Sequence, residues 1–338
     1  MIKHTLKNIK EYVKQEWKFL IVLLVTFIIC TYPVDYYIIT GGGTILAKDR
    51  VEVKGAKKSK GTISLTYVKE LKGTIATYLL SYIVPSYERE KVEEYTYNEN
   101  ETIEDIDFRN IIQLRTANNS AIKVAYENAG KTLKEKNKGI YVYYIDKKAD
   151  TNLKIGDKIV EINGKKIESF KELRNYINKL DNNSEISILI ENNNKKETKT
   201  AKIYEEKGNK YIGVSLIEDI TYKTKPKINI KYKKSEGGPS GGFMMSLEIY
   251  NQLTKKDITK GRKIAGTGTI DYEGNIGEID GIKYKLKGAV KKKSSIFIAP
   301  TGRNYKEALK EKKKHGYKIK IIEGKTFKQV LKELDKIK

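Results

Sequence analysis

A glycine-rich turn in the last third of the chain is the feature that most limits its fold. Residues 235–242 read Ser-Glu-Gly-Gly-Pro-Ser-Gly-Gly, and they stand between a strand-like run, residues 225–232, and an apolar run that continues to about residue 253. Glycine and proline mark tight turns. A strand, a short turn and a helix in that order are typical of an α/β domain. The sequence therefore predicts that Ser240 lies at the start of a helix, shortly after a strand.

Ser240 and a lysine 45 residues later form a candidate catalytic pair. Glycines around a serine let a substrate backbone approach, and a helix N-terminus offers partial positive charge to a developing oxyanion. A lysine can act as general base when burial disfavours its charged form and lowers its pKa. Lys285 lies in an amphipathic segment whose apolar residues are at positions 282, 286, 289 and 290. Because His4 and His315 are the only histidines, few bases other than lysine are available.

Each of these residues also has a non-catalytic interpretation. Serine is a favoured helix N-cap, and a lysine among so many lysines is most simply an exposed one. His315 ends a lysine-rich helix, so a solvent-facing C-terminal position is a better interpretation than a place in a catalytic triad. The sequence indicates neither a metal site nor a cofactor.

The chain carries a net charge of +24, nearly all of it from lysine. Lysine is a hydrated point charge, whereas the arginine fork is better suited to phosphate recognition. The charge therefore favours attraction to anionic surfaces, such as a membrane face or a cell-wall polymer, and nucleic acid is not the expected partner. Binding of nucleic acid or an anionic polymer by the lysine surface as the main function remains an alternative.

The first forty residues predict a membrane anchor. Lysines precede an apolar run at residues 19–32, and Trp17, Tyr36 and Tyr37 flank it as interfacial aromatics. The run is shorter than the typical ~20 residues, but no small-residue cleavage site follows it, which favours an anchor over a signal peptide. The positive-inside rule then predicts a cytoplasmic tail at 1–16, a spanning helix at 17–35 and an extracytoplasmic remainder. The single cysteine, Cys30, excludes an intrachain disulfide.

Two regions follow this segment. Residues 36–118 alternate short strand-like runs with turns and predict a small β-rich module. Residues 119–218 contain a strand near residue 140, a Gly-Asp-x-Ile-x-x-Ile-Asn-Gly pattern at 156–164, a helix at 169–180 and a strand at 184–191. This order resembles a PDZ domain.

The PDZ resemblance implies a peptide-binding groove. In it, the carboxylate-binding loop would be formed by Gly139, Ile140, Tyr141 and Val142. A peptide or extended segment would add to the sheet there as an extra strand. The alternative is that the groove is occupied internally and that the domain is a spacer.

Residues 219–338 resemble the proteolytic domain of Lon peptidases. The resemblance rests on several motifs in order: Gly238-Pro239-Ser240-x-Gly242, residues 265–270 (Ala-Gly-Thr-Gly-Thr-Ile), Gly274-x-Ile276-Gly277-x-Ile279, Gly281-Ile282-Lys283-x-Lys285 and the strand ending at residues 298–300 (Ile-Ala-Pro).

The Lon resemblance assigns roles to three residues. It implies that Ser240 is the nucleophile, that Lys285 is its general base and that Thr267 hydrogen-bonds the lysine. Backbone N–H groups near Gly238 and Ser240 would hold the oxyanion.

Some residues depart from the Lon pattern. Gly237 stands where many Lon enzymes have aspartate, Gly241 where alanine is usual and Thr269 where glutamate is usual. The chain has no Gly-x-x-x-x-Gly-Lys-Ser/Thr loop, so the resemblance is to a peptidase without its own ATPase module.

Together these features predict a multidomain α+β chain with an N-terminal transmembrane helix, a β-rich module, a PDZ domain and a Lon-type α/β domain. The arrangement resembles the membrane-anchored PDZ–Lon peptidases of bacteria, which implies ATP-independent cleavage of exported or membrane-anchored peptides and small proteins outside the cytoplasmic membrane. The alternative from another class is a non-catalytic PDZ scaffold. The sequence leaves the substrate and the oligomeric state open.

Overall fold

The computed structural model describes residues 2–96, 101–192, 195–233 and 235–337. The chain divides into two compact units: Met1–Gly41 with Val68–Tyr95, and Gly42–Tyr67 with Thr96–Lys338. The elements of the N-terminal part are α1 (Ile2–Thr31), β1 (Pro33–Leu46), β2 (Val51–Val53), β3 (Thr62–Thr74), α2 (Ile75–Ile83), β4 (Glu88–Lys91) and α3 (Ile103–Asn128).

The first unit contains α1, α2 and an antiparallel pairing of β1 with β4. Within the described residues, no helix combines the length and the apolar character needed to cross a membrane. The prediction of a spanning helix at 17–35 is therefore not supported. The charge-free part of α1 runs only from Phe19 to Thr31, which is about 20 Å at ~1.5 Å per residue, against a hydrocarbon core of ~30 Å. The helix ends there because Pro33 begins β1.

The middle of the chain forms a six-stranded antiparallel sheet with one short helix. Its elements are β5 (Thr132–Ile145), β6 (Lys158–Ile162), β7 (Lys165–Lys166), α4 (Phe170–Ile177), β8 (Glu185–Asn192), β9 (Lys195–Lys202), β10 (Tyr204–Glu206), β11 (Asn209–Tyr211) and β12 (Val214–Lys225). The strand order is β12-β5-β6-β8-β9, and β7 pairs with β6. Alternate strand residues, such as Ile140, Val142, Ile186 and Ile188, bury one face of the sheet in a core that α4 completes with Leu173 and Ile177.

The C-terminal part is an α/β domain. Its elements are β13 (Ile228–Ile230), α5 (Gly242–Leu253), β14 (Lys263–Gly266), β15 (Thr269–Ile270), β16 (Ile276–Gly277), α6 (Ile282–Lys291), β17 (Ile296–Pro300), α7 (Arg303–His315), β18 (Lys320–Gly324) and α8 (Phe327–Lys336). Strands β18, β17 and β14 are parallel neighbours.

Helices cover both faces of this parallel sheet. Ile264 and Ile298 point into a core shared with α5 and α8. Ala265 and Phe297, one residue along each strand, point into the opposite core, which contains residues of α6 and α7. A parallel sheet buried on both faces requires such nearly continuous apolar strands.

The C-terminal α/β domain also contains segments that lie far away in the sequence. Strand β3 extends the sheet in parallel beside β14, from Thr62 opposite Lys263 to Leu65 opposite Gly266. The second half of α3 supplies Val124 and Ala125 to the core of α5 and α8. The stretch predicted as a separate module at 36–118 is thus divided, because Gly42–Tyr67 and the residues from Thr96 onward belong to the second unit.

A buried ion pair explains the Gly-Asp motif of the middle domain. Asp157 is fully buried, and its Oδ2 lies 2.7 Å from Lys199 Nζ. The same oxygen accepts a hydrogen bond from the Lys154 amide at 2.7 Å, and Oδ1 accepts one from Asn192 Nδ2 at 3.2 Å. Asp157 therefore ties the turn before β6 to β8 and β9.

Replacing Asp157 by alanine is expected to destabilise this domain by about 3–5 kcal/mol, because Lys199 is left as an uncompensated buried charge. Urea denaturation followed by hydrogen exchange of the β6 and β8 amides measures the change. The double variant Asp157→Ala/Lys199→Met should recover part of the loss, whereas Lys196→Ala, an exposed lysine on the same strand, should have little effect. A loss below about 1 kcal/mol would mean that the pair behaves like a surface ion pair.

Candidate active site

Ser240 lies in a tight turn immediately before α5. The helix begins at Gly242 with Gly241 as its N-cap, two residues later than the sequence predicts. Gly238 has φ +78°, a backbone conformation that favours glycine over residues with a Cβ. The turn leaves Ser240 half-buried at the N-terminal end of an otherwise buried helix. This is the placement expected of a nucleophile that needs both access and helix-dipole stabilisation.

Hydrogen bonds attach the Ser240 turn to the loop that follows β14. The Ser240 carbonyl oxygen accepts from Thr267 Oγ1 at 3.0 Å and from the Gly268 amide at 2.9 Å. In return, the Phe243 amide donates to the Gly268 carbonyl oxygen at 3.1 Å. The position of Ser240 therefore depends on the carboxyl end of a central strand.

The Thr267 side chain has a different hydrogen-bond partner from the one implied by the Lon resemblance. Thr267 is completely buried, and its hydroxyl proton is directed to the Ser240 carbonyl oxygen. A hydroxyl has one donor and two acceptor lone pairs, so the same oxygen can still accept a bond from a lysine. In the structure, Thr267 acts first as a positioning residue for the turn.

Lys285 is not a surface lysine. Its residue exposure is 3 %, whereas Lys287, two residues later on α6, is exposed. The adjacent Leu286, together with Ile282, packs with Ala265 of β14 in one core cluster. Lysine is almost never this buried unless it is paired, so the interpretation of Lys285 as an ordinary exposed lysine is wrong. Ser240, Thr267 and Lys285 thus all lie on elements attached to β14.

The Gly238 amide already donates a hydrogen bond within the protein. It donates to the Asn110 carbonyl oxygen of α3 at 3.0 Å. An N–H group so engaged cannot also donate to an oxyanion. The predicted oxyanion role of Gly238 therefore requires that this bond be broken.

The predicted carboxylate-binding loop does not present an open strand edge. Gly139, Ile140, Tyr141 and Val142 lie within β5, which pairs with β12 on one side and with β6 on the other. Ile140 and Val142 also point into the core of the domain. A peptide cannot add to this strand because both edges are already hydrogen-bonded.

The open edge on this side of the sheet belongs to β12. Of the strands that the structure describes, only β5 pairs with it in the sheet. Gly213 precedes β12 with φ +72°, and a Cβ on this glycine would lie 2.4 Å from Ala149 Cβ. The N-terminus of α4 lies beside β12, because the Phe170 amide donates to the Glu218 carboxylate. In the sequence, Tyr211-Ile212-Gly213 immediately before the apolar residues of β12 marks the start of this edge.

Neither His315 nor a cluster of acidic, histidine or cysteine side chains forms a second candidate site within the described residues. His315 lies at the end of α7, with Nε2 3.3 Å from Glu311 Oε2 and its ring stacked on Tyr317, as expected for a C-terminal position. No group of three or more His, Cys, Asp or Glu side chains that could hold a metal ion occurs within the described ranges.

Comparison with known families agrees with this architecture. Residues 120–203 match the model of the PDZ domain, and residues 228–335 match the model of the Lon protease (S16) C-terminal proteolytic domain. The predicted multidomain α+β chain with PDZ and Lon-type domains is confirmed to this extent. The chain is a PDZ–Lon family protein, and its proteolytic domain is that of a peptidase.

Individual relatives cover parts of the chain. A putative zinc metalloprotease of Fusobacterium nucleatum is 28% identical over 147 residues, which is 44% of this chain and 39% of that protein. The PDZ domain of an SdrC-like protein from Listeria monocytogenes is 29% identical; the match covers 25% of this chain and 93% of that domain, with a TM-score of 0.22. The PDZ domain of an SdrC-like protein from Listeria innocua is 28% identical; the match covers 23% of this chain and 92% of that domain, with a TM-score of 0.21. The chain thus spans 39% of the length of the curated relative. The assignment to the PDZ–Lon family therefore rests on the matches to the two family models.

Replacing Thr267 by valine keeps the side-chain shape and removes the bond to the Ser240 carbonyl. Because one such bond contributes about 1 kcal/mol, the rate at which a serine-reactive phosphonate labels Ser240 should fall about 5- to 10-fold. Thr267→Ser, which keeps the hydroxyl, should retain most of the rate. Equal rates for Thr267→Val and the wild type would show that the hydroxyl does not position the turn.

Proposed function

We propose that this chain is an ATP-independent serine endopeptidase with Ser240 as nucleophile and Lys285 as general base. The observation that carries the proposal is the burial of Lys285 on a helix packed against the same strand whose end holds the Ser240 turn. Burial disfavours the ammonium form of a lysine and so favours the neutral amine that a general base must be. Independence from ATP is supported by the lack of a phosphate-binding loop motif in the sequence.

The chemistry takes place in two stages. The Lys285 amine accepts the Ser240 hydroxyl proton while Ser240 Oγ bonds to the scissile carbonyl carbon. Backbone N–H groups of the turn stabilise the oxyanion. Lys285 then gives the proton to the leaving amine as the C–N bond breaks, which leaves an acyl-enzyme. Water attacks the ester, again with Lys285 as base, and Ser240 recovers its proton.

The PDZ domain supplies a docking edge. An extended segment of substrate adds antiparallel or parallel to β12, beside α4, where main-chain hydrogen bonds give affinity with little dependence on sequence. A glycine turn at the start of this edge, Gly213 with φ +72°, supports binding of a peptide terminus there. This proposal replaces the loop at Gly139–Val142 as the binding site.

The cellular location is a proposal of its own. The family resemblance favours an extracytoplasmic site of action on exported or membrane-associated peptides. Cleavage of the chain by protease added to intact cells would support it, and complete resistance that disappears on lysis would contradict it.

Ser240→Ala and Lys285→Ala should each lower kcat for an unstructured peptide by at least about 10³-fold, because members of a dyad act as a unit. Lys287→Ala removes the same charge from the exposed face of the same helix and should keep wild-type activity. Circular dichroism checks that each variant is folded. A non-catalytic PDZ scaffold would instead retain its cellular role in both dyad variants.

Flexible substrates should be cleaved much faster than folded ones. Without coupled ATP hydrolysis, a folded substrate is cleaved only through its transiently open population, which is about 10⁻³ or less for a typical stable domain. The comparison uses one substrate domain and a destabilised point variant with the same cleavage site. Similar rates on both forms would contradict the proposal.

A further inference from the structure

One face of α3 contacts the candidate active site. The Gly238 amide donates to the Asn110 carbonyl oxygen at 3.0 Å. Further along, a Cβ added to Gly242 would lie 3.1 Å from Ala117 Cβ and 3.3 Å from its carbonyl oxygen. Helix α3 therefore packs at backbone distance against both ends of the turn that carries Ser240. A shift of α3 by even a fraction of an ångström must be accommodated by this turn.

Another part of α3 contacts the PDZ sheet. The Tyr141 ring of β5 lies 6.3 Å from the Phe108 ring and 5.3 Å from the Arg115 guanidinium. Gln113 donates to the hydroxyl of Tyr143, the next residue of β5 on the same face. Because strand residues alternate, Tyr141 and Tyr143 face α3 while Ile140 and Val142 fill the PDZ core.

The docking strand itself is attached to α3. Asp219 of β12 lies with Oδ2 2.7 Å from Arg115 Nε, and its Oδ1 accepts from Asn119 Nδ2 at 2.9 Å. Asp219 is 7 % exposed and pairs with Gly139 in the β12–β5 ladder. Burial raises the pKa of Asp219, and Arg115 and Asn119 oppose that effect. Two α3 side chains therefore hold a buried carboxylate on the strand whose other edge is open.

We propose that α3 couples peptide binding at the β12 edge to the conformation of the Ser240 turn, and that a bound peptide releases the Gly238 amide from Asn110 and raises kcat. The proposal rests on the proposed function, because it concerns regulation of the same site. The switching element is the Gly238 amide, which bonds either to the α3 carbonyl or to the oxyanion. A peptide shifts this equilibrium only through its different affinity for the two states, and Asp219 is the contact through which β12 acts on α3.

The test uses the full chain with separate substrate and effector. The substrate is a fluorogenic tetrapeptide blocked at both ends. The effector is a decapeptide selected because it binds to the Ser240→Ala chain and does not bind to the Gly213→Val chain. At saturating effector, kcat for the tetrapeptide should rise at least about fivefold with little change in KM, which corresponds to a coupling of about 1 kcal/mol.

Variants of α3 locate the coupling. Arg115→Gln should abolish the rise in kcat while the effector still binds. Asn119→Ala should reduce the rise, and this variant replaces Arg115→Gln in the test if Arg115→Gln does not fold. Glu127→Gln removes a charge from an exposed position on the same helix and should keep the full effect. A rise that persists in Arg115→Gln and Asn119→Ala overturns the assignment to α3.

Hydrogen exchange separates this proposal from the proposed function. In the Ser240→Ala chain, the Gly238 amide should exchange about fivefold faster when the effector is bound, and this readout needs no catalytic activity. An effector that binds without changing Gly238 exchange overturns the coupling even if the chain is a peptidase. Faster Gly238 exchange in a chain without peptidase activity would retain the coupling and reject the proposed function.

Discussion

The hydrogen bonds between the Ser240 carbonyl and the end of β14 hold the candidate site together. Thr267 and Gly268 both donate to this oxygen, and both directly follow a strand that is buried on its two faces. A strand packed in this way is the least mobile part of the domain. The turn is glycine-rich and has little intrinsic rigidity, so its geometry is imposed by the sheet. Helix α6, which carries the buried Lys285, packs against the opposite face of the same sheet.

The candidate site also depends on segments from the N-terminal half of the chain. Strand β3 precedes the PDZ domain in the sequence and helix α3 overlaps its first residues, yet both complete the sheet and core of the proteolytic domain that follows it. The PDZ domain is therefore inserted within the second unit. Since α3 also contacts β5 and β12, the helix joins the PDZ sheet to the turn that carries Ser240. This arrangement differs from a chain of independent modules in which a PDZ domain only raises the local substrate concentration.

Local patterns in the sequence were sufficient for part of this account. The Ser240 turn, the Lys285 helix and the Gly-Asp hairpin at residues 156–164 are encoded by neighbouring residues, and they were predicted. The pairing of β3 with β14 joins residues about 200 positions apart, and no local pattern predicts it. The sequence alone does not distinguish β5 from β12 as the edge strand, because both contain alternating apolar residues. Only the pairing reveals that β5 is interior.

The central claim is that Ser240 forms a covalent acyl-enzyme with Lys285 as its base. The most direct test is rapid quenching of the full chain with an activated ester substrate, followed by peptide mass spectrometry. We expect an acyl adduct on Ser240 in the wild type and in Lys287→Ala, and none in Ser240→Ala or Lys285→Ala. An adduct on another residue, or equal acylation of Ser240 in Lys285→Ala, would contradict it.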